Sequence, residues 1–131
     1  MHPISVLLSE TVYPELARRE GIEFPLLPRH IAALDSVVKT VEATYWSFER
    51  YPSPEDKAAA YFTFIIKDHP VADGNKRLSV YFLEIYCLEK GLTLNMAPSV
   101  TLDALAVSVE KGGESHLLVQ SVRRILFHAG E

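Results

Sequence analysis

Two segments that are apolar on every helical face constrain this chain more than anything else in it. Ala58, Ala59, Ala60, Tyr61, Phe62, Phe64, Ile65 and Ile66 leave almost no polar side to turn toward water, and Leu78, Val80, Tyr81, Phe82, Leu83, Ile85, Tyr86, Cys87 and Leu88 repeat the pattern. A helix apolar all round has to be covered all round. Both segments are therefore predicted as central helices of a compact all-α bundle, with the polar run His69-Pro70-Val71-Ala72-Asp73-Gly74-Asn75-Lys76-Arg77 as a loop between their ends. With 131 residues, 48% of them hydrophobic, the chain can bury one core but not two, so residues 1–131 are read as a single domain.

Ile31, Leu34, Val38, Val41, Tyr45 and Phe48 recur at steps of three and four, which predicts an amphipathic helix from Pro28 to about Glu49. Tyr51-Pro52-Ser53-Pro54 breaks it. Ser53 with Asp56 three positions on resembles a capping box, and Pro54 suits the first helical position, so the first central helix is predicted to start there. Gly91 can close the second as a left-handed cap. Val100 to Lys111 and Ser115 to His128 read as amphipathic helices separated by Gly112-Gly113, the stretch from Pro14 to Arg19 as a short, weaker helix, and Thr93 to Met96 as a short strand. Neither repeat nor linker interrupts the span from Ile4 to Phe127.

Charge and cysteine use narrow the function classes. The 13 basic residues face 17 acidic ones, for a formal charge of −4, which is not the footprint of a nucleic-acid binder. Cys87 stands alone and cannot form an internal disulfide. The N-terminal residues lack the flanks and length of a signal peptide or a membrane span, so no membrane partner is expected and a reducing cytoplasm is the expected location.

The loop carries the chemistry. A helix N-terminus has partial positive charge and free N–H groups, so Lys76 and Arg77 in a first turn call for an anion. Gly74 lets the backbone turn tightly, and the N–H groups from Gly74 to Arg77 can converge on phosphate oxygens, with Arg77 adding a fork and Lys76 a point charge. Asp73 is placed to hold Mg²⁺ bridging those oxygens. His69 ends the preceding helix, and an imidazole, with an ordinary pKa of about 6.5, suits removal of a proton from an attacking hydroxyl. Taken singly, Asp73 can be a cap, Gly74-Asn75 a turn and His69-Pro70 a helix end. Capping does not explain two cations at the start of an otherwise apolar helix, next to a carboxylate and a base.

The run His69 to Arg77 resembles the signature of the Fic/Doc family, His-x-Phe-x-Asp/Glu-Gly/Ala-Asn-Gly/Lys-Arg, and the Tyr51-Pro-Ser-Pro-Glu-Asp-Lys segment and the two apolar helices are similar to that family's core. The resemblance extends over most of the chain from about Pro28. It implies His69 as general base, Asp73 as magnesium ligand, and Gly74, Asn75, Lys76 and Arg77 as phosphate binders. ATP or another nucleoside triphosphate is the implied co-substrate, a phosphate-containing group the cargo, and a target-protein hydroxyl the acceptor.

Three departures from the pattern refine that expectation. AMP-transferring members usually carry glycine at Lys76 and a second arginine at Val80, whereas Doc-like toxins carry the lysine and are thought to hold the nucleotide reversed, with the γ-phosphoryl toward the hydroxyl. Phosphorylation, with a translation factor as the family's precedent for a target, is thus preferred to AMP transfer, although Gly74 is the residue of the AMP-transferring form. Val71 replaces phenylalanine, a smaller anchor that is expected to loosen the loop unless a neighbour such as Phe62 or Phe82 fills in. The family's inhibitory Ser/Thr-x-x-x-Glu-Gly/Asn helix is not matched, since Thr11 to Glu15 is followed by Leu16 and Glu20-Gly21 is preceded by Leu16, so any restraint is expected from an antitoxin chain.

Elsewhere, His2, His30, His116 and His128 lack metal-ligand spacing and read as surface or structural, Cys87 as packing, and Lys111, Arg123 and Arg124 as solvated charges. Trp46 belongs either to the core or, with Tyr45 and Tyr51, to the edge of a substrate groove. The rival of a different class is a helical partner-binding module that keeps the loop without turnover.

Overall fold

Helix α1 (Pro3–Leu7) begins where His2 Nδ1 accepts the Ile4 N–H at 3.0 Å, and it runs through a π-helical turn (Leu8–Val12) into α2 (Tyr13–Glu20) without leaving helical backbone angles. The extra residue of a π turn shifts the helical register. Leu8, Val12, Tyr13 and Leu16 therefore all reach the core, and helix covers far more of the N-terminal stretch than Pro14 to Arg19. Gly21, at φ 66°, closes it. The computed structural model describes residues 1–23 and 25–128.

Helix α3 (Pro28–Val41) buries Leu34, Val37, Val38 and Val41 but ends well before Glu49. Glu42 is tied to the next helix, its carboxylate accepting from Tyr61 Oη at 2.8 Å and lying 3.2 Å from Lys57 Nζ. After it the chain forms a two-residue hairpin, β1 (Thr44–Tyr45) against β2 (Phe48–Glu49), antiparallel with Tyr45 opposite Phe48. Trp46 and Ser47, at φ 55° and 72°, make the kind of turn whose twist suits adjacent strands. The helical spacing of Tyr45 and Phe48 is therefore coincidental: they are 58% and 77% exposed, on a hairpin rich in aromatic residues. Lys57 also pairs with Glu49, Nζ to Oε1 3.3 Å, which holds the hairpin to the bundle.

Helix α4 (Pro54–Asp68) has the cap its sequence announces: Ser53 Oγ accepts from the Asp56 N–H at 3.0 Å and Asp56 Oδ2 from the Ser53 N–H at 3.4 Å. Such a cap contributes about 1 kcal/mol. α5 (Asn75–Lys90) ends at Gly91, φ 67°, whose N–H and that of Leu92 return to carbonyls of the last turn. Then α6 (Leu102–Lys111) is capped by Thr101 Oγ1 and α7 (Ser115–Phe127) by both carboxylate oxygens of Glu114. Residues 93–96 run irregularly with no strand partner; the Asn95 N–H donates instead to the Leu126 carbonyl at 2.7 Å.

Helix α4 lies in the middle, packed against α3, α5, α6 and α7, and every residue from Ala58 to Ile66 is buried. Tyr61 packs edge-on to Phe82 with ring centroids 5.2 Å apart and against Tyr86 at 5.6 Å, joining α4 to α5. Each such fully buried aromatic contributes on the order of 2–3 kcal/mol. The consequence is positional: the C-terminus of α4 and the N-terminus of α5 are fixed relative to each other, and the loop between them is slung from two rigid ends. Among the described residues no helix is long and apolar enough to cross a membrane.

Candidate active site

The loop starts where α4 stops. His69 adopts a left-handed conformation, φ 49° and ψ 57°, and Pro70, with no N–H to give, follows it. Histidine is one of the few residues other than glycine that tolerate this region, and the turn leaves it exposed. α5 begins at Asn75 because Gly74, at φ 83° and ψ 24°, turns the chain into it. A Cβ at Gly74 would be strained by that angle and would lie 2.8 Å from Ile22 Cδ1.

Between these ends one side chain holds the loop. The Val71 N–H donates to Asn75 Oδ1 at 3.0 Å, and Asn75 Nδ2 donates to the Val71 carbonyl at 2.9 Å. Both groups are buried, and Val71 itself is 3% exposed, so valine still belongs to the core at the position where a larger anchor is usual. The Asn75 side chain is thereby occupied. What Asn75 offers a ligand is its backbone N–H, which, with those of Lys76 and Arg77, has no carbonyl four residues back to bond. From α2, Tyr13 Oη donates to the Asp73 carbonyl at 3.4 Å; burial, and secondarily the Asp73 charge, push this phenol's pKa up, with Arg77 opposing.

The cations already have counter-ions within the chain. Lys76 Nζ donates to Glu110 Oε2 at 3.0 Å, Arg77 Nη2 lies 3.6 Å from Asp73 Oδ2, and Arg77 Nη1 lies 3.8 Å from Glu20 Oε2. The hydrogen bond from Lys76 holds the Glu110 carboxyl below its usual carboxylate range. These side chains are between 34% and 50% exposed, and exposed pairs are each worth about 0–1 kcal/mol. A phosphate that also takes the converging N–H groups would displace them, since charge-assisted bonds to several donors are individually stronger. Glu110 and Glu20 carry no mark in the sequence near the loop; only the packing of α6 and α2 brings them in.

His69, Ala72, Asp73, Gly74, Asn75, Lys76, Arg77 and Glu110 line one cavity of about 340 Å³. Every residue singled out from the sequence as a site residue is thus gathered in one place. The donor set also fits Mg²⁺: Asp73 presents an exposed carboxylate beside the first turn of α5, and magnesium characteristically takes one or two carboxylates plus phosphate oxygens and water. Among the described residues no group of three or more His, Cys, Asp or Glu could hold a metal unaided. Such a set suits an ion shared with a phosphate rather than caged by the protein.

The remaining candidates sort by contact. His2 caps α1, His30 Nδ1 accepts the Leu27 N–H at 3.0 Å, and His116 hydrogen-bonds Tyr51 Oη and packs on Phe64, all structural tasks. Tyr51 is buried and cannot edge a groove, while Trp46, at 95% exposure, is not core. Arg123 is not a solvated charge: its Nη1 lies 2.8 Å from Asp56 Oδ1 and joins α7 to the start of α4. Cys87 is buried packing, its thiol pushed up to about 11 by burial.

Comparison with known proteins adds an independent line. The model of the Fic/DOC family matches residues 6–87, which is more than half of the chain, reaches further toward the N-terminus than Pro28 and stops within α5. The protein named Toxin Doc from Mycolicibacterium smegmatis (strain ATCC 700084 / mc(2)155) is 39% identical to this chain over 49 residues, covering 37% of this chain and 38% of that protein. No solved structure matches significantly.

Proposed function

The chain belongs to the Fic/DOC family, and from that premise we propose that it is a Doc-type toxin that transfers the γ-phosphoryl group of ATP to a hydroxyl of a target protein. The observation that carries this is the single cavity uniting an exposed histidine, a carboxylate and a cationic helix start. In this scheme the N–H groups of Asn75, Lys76 and Arg77 and the two cationic side chains hold the triphosphate, and Gly74 lets the backbone come close to it. Asp73 would hold Mg²⁺, which, when bound, offsets the negative charge of the phosphate oxygens. His69 accepts the proton of the target hydroxyl as its oxygen bonds to the γ-phosphorus. The bond from that phosphorus to the bridging oxygen breaks, and ADP departs.

Phosphoryl transfer is preferred to AMP transfer because Lys76 occupies the glycine position, and Val80 the second arginine position, of AMP-transferring relatives. A relative named as a toxin supports an antitoxin chain as the restraint, with action in the cytoplasm on a translation factor as the corresponding proposal. A lysate incubated with the protein and ATP labelled separately at the α and γ positions should acquire protein-bound label from γ alone. Label from α alone would reassign the chain to AMP transfer, and label from neither would remove the transferase assignment.

A further inference from the structure

The π turn Leu8–Val12 re-aims whatever follows it. π turns are rare, and many of those that occur lie at functional sites. One inserted residue rotates the succeeding side chains by about 100° around the helix axis. The first residue after this one is Tyr13, whose side chain is 2% exposed and whose hydroxyl donates to the Asp73 carbonyl at 3.4 Å. α5 bonds the loop backbone through Asn75 and Leu78. Among the described residues, Tyr13 is the one partner that the loop backbone from Pro70 to Gly74 finds in a more distant element.

What this bond holds is a single peptide unit. The Asp73 carbonyl and the Gly74 N–H share it, and because it is trans they point to opposite sides. Gly74 does not itself fix which side, since a residue without a Cβ takes φ of either sign and the peptide before it could turn over at little cost. Tyr13 lines an apolar recess behind the loop with Ile22, whereas the motif cavity is lined by Gly74 and Glu110 and not by Tyr13. We infer that Tyr13 is a positioning residue: by holding the Asp73 carbonyl on the α2 side, it turns the Gly74 N–H into the motif cavity, as a further donor beside those of Asn75, Lys76 and Arg77. A donor fixed in advance costs no reorganisation when the anion arrives, while a peptide free to turn over has to be ordered at that moment. Burial raises the pKa of the phenol, so its hydroxyl stays a donor at neutral pH. The inference rests on the phosphate-binding role proposed for the loop.

Aspartate precedes glycine only once in the chain, at Asp73-Gly74. Protein labelled with the NMR-active carbon isotope at aspartate carbonyls and the NMR-active nitrogen isotope at glycine therefore gives one carbonyl-coupled amide signal, which reports both ends of this peptide. Adding inorganic tripolyphosphate and magnesium to wild-type protein should move that amide proton downfield, as a new hydrogen bond does. Tyr13→Phe keeps the ring and removes only the hydroxyl. It should shift the Asp73 carbonyl resonance, broaden or split the Gly74 amide signal, and weaken tripolyphosphate binding about threefold to tenfold, the size of one neutral hydrogen bond, with the circular dichroism spectrum unchanged. A variant that binds as wild type does, with both resonances unmoved, would overturn the inference and leave the loop as the phosphate site. A weaker variant whose Asp73–Gly74 signals are intact would make Tyr13 a packing residue and overturn it too, as would wild-type binding that leaves the Gly74 amide in place. Wild-type protein in which tripolyphosphate moves no glycine signal and releases no heat would remove the phosphate site itself.

Discussion

Replacing His69 by alanine should lower the rate of label transfer by about 10² to 10⁴, the contribution of a positioned general base, with nucleotide affinity unchanged. The split between rate and affinity follows from position. His69 sits at the opposite end of the loop from the α5 first turn proposed to hold the phosphates, in the same cavity but on the other helix end. Alanine at φ 49° also strains the backbone by about 1 kcal/mol, so part of any loss could come from the loop's shape. His69→Asn resolves this, because asparagine tolerates left-handed angles and cannot serve as the base. Both variants should fall together in single-turnover rate. An asparagine variant that transfers label at the wild-type rate would take the proton-accepting role away from this residue.

The second large effect is on stability. Asn75→Ala leaves the Val71 N–H and carbonyl buried with their partner gone, and at about 1–3 kcal/mol for each unsatisfied group the loss should total about 2–6 kcal/mol. Asn75→Asp should be no better: one oxygen still accepts from the Val71 N–H, but the other faces the Val71 carbonyl with no proton to share. Denaturant unfolding followed by far-UV circular dichroism measures both. A drop under about 1 kcal/mol for the alanine variant would mean that Val71 finds water, and that the loop's shape does not depend on this side chain. Because Asn75 lies inside the motif, its loss should also weaken ATP binding through the displaced loop; stability and affinity are therefore measured on the same samples.

How much could be read beforehand depended on whether the deciding contacts were local. The two central helices were legible because an all-apolar segment has only one place to go, and the Ser53 cap, Pro54 start and Gly91 end were legible because caps act within three or four residues. That the candidate residues would share one place was legible for the same reason: His69, Asp73 and Gly74 to Arg77 lie within nine consecutive positions, and the fold merely curls them into one cavity. The end of α3 was not, since Glu42 is held by Lys57 and Tyr61 from the following helix, and the stripe it interrupts carries on past it by chance. A π turn hid the N-terminal helix by shifting its register. The motif marks Asn75 as a phosphate binder, and nothing in its neighbours announces that its amide turns back to Val71. The counter-ions Glu20 and Glu110 and the Arg123–Asp56 pair come from remote helices, beyond the reach of spacing rules.

The hairpin turn has a consequence at the bench. The chain's one tryptophan, Trp46, stands at its tip at 95% exposure, so its indole is surrounded by solvent in the folded protein much as it would be in an unfolded chain. Emission from that ring depends on the polarity of its surroundings and should barely shift in wavelength when the bundle melts. A fluorescence scan would then register little transition where circular dichroism registers a full one, and the same insensitivity makes Trp46 a quiet reporter, free to respond when some other molecule settles on the hairpin.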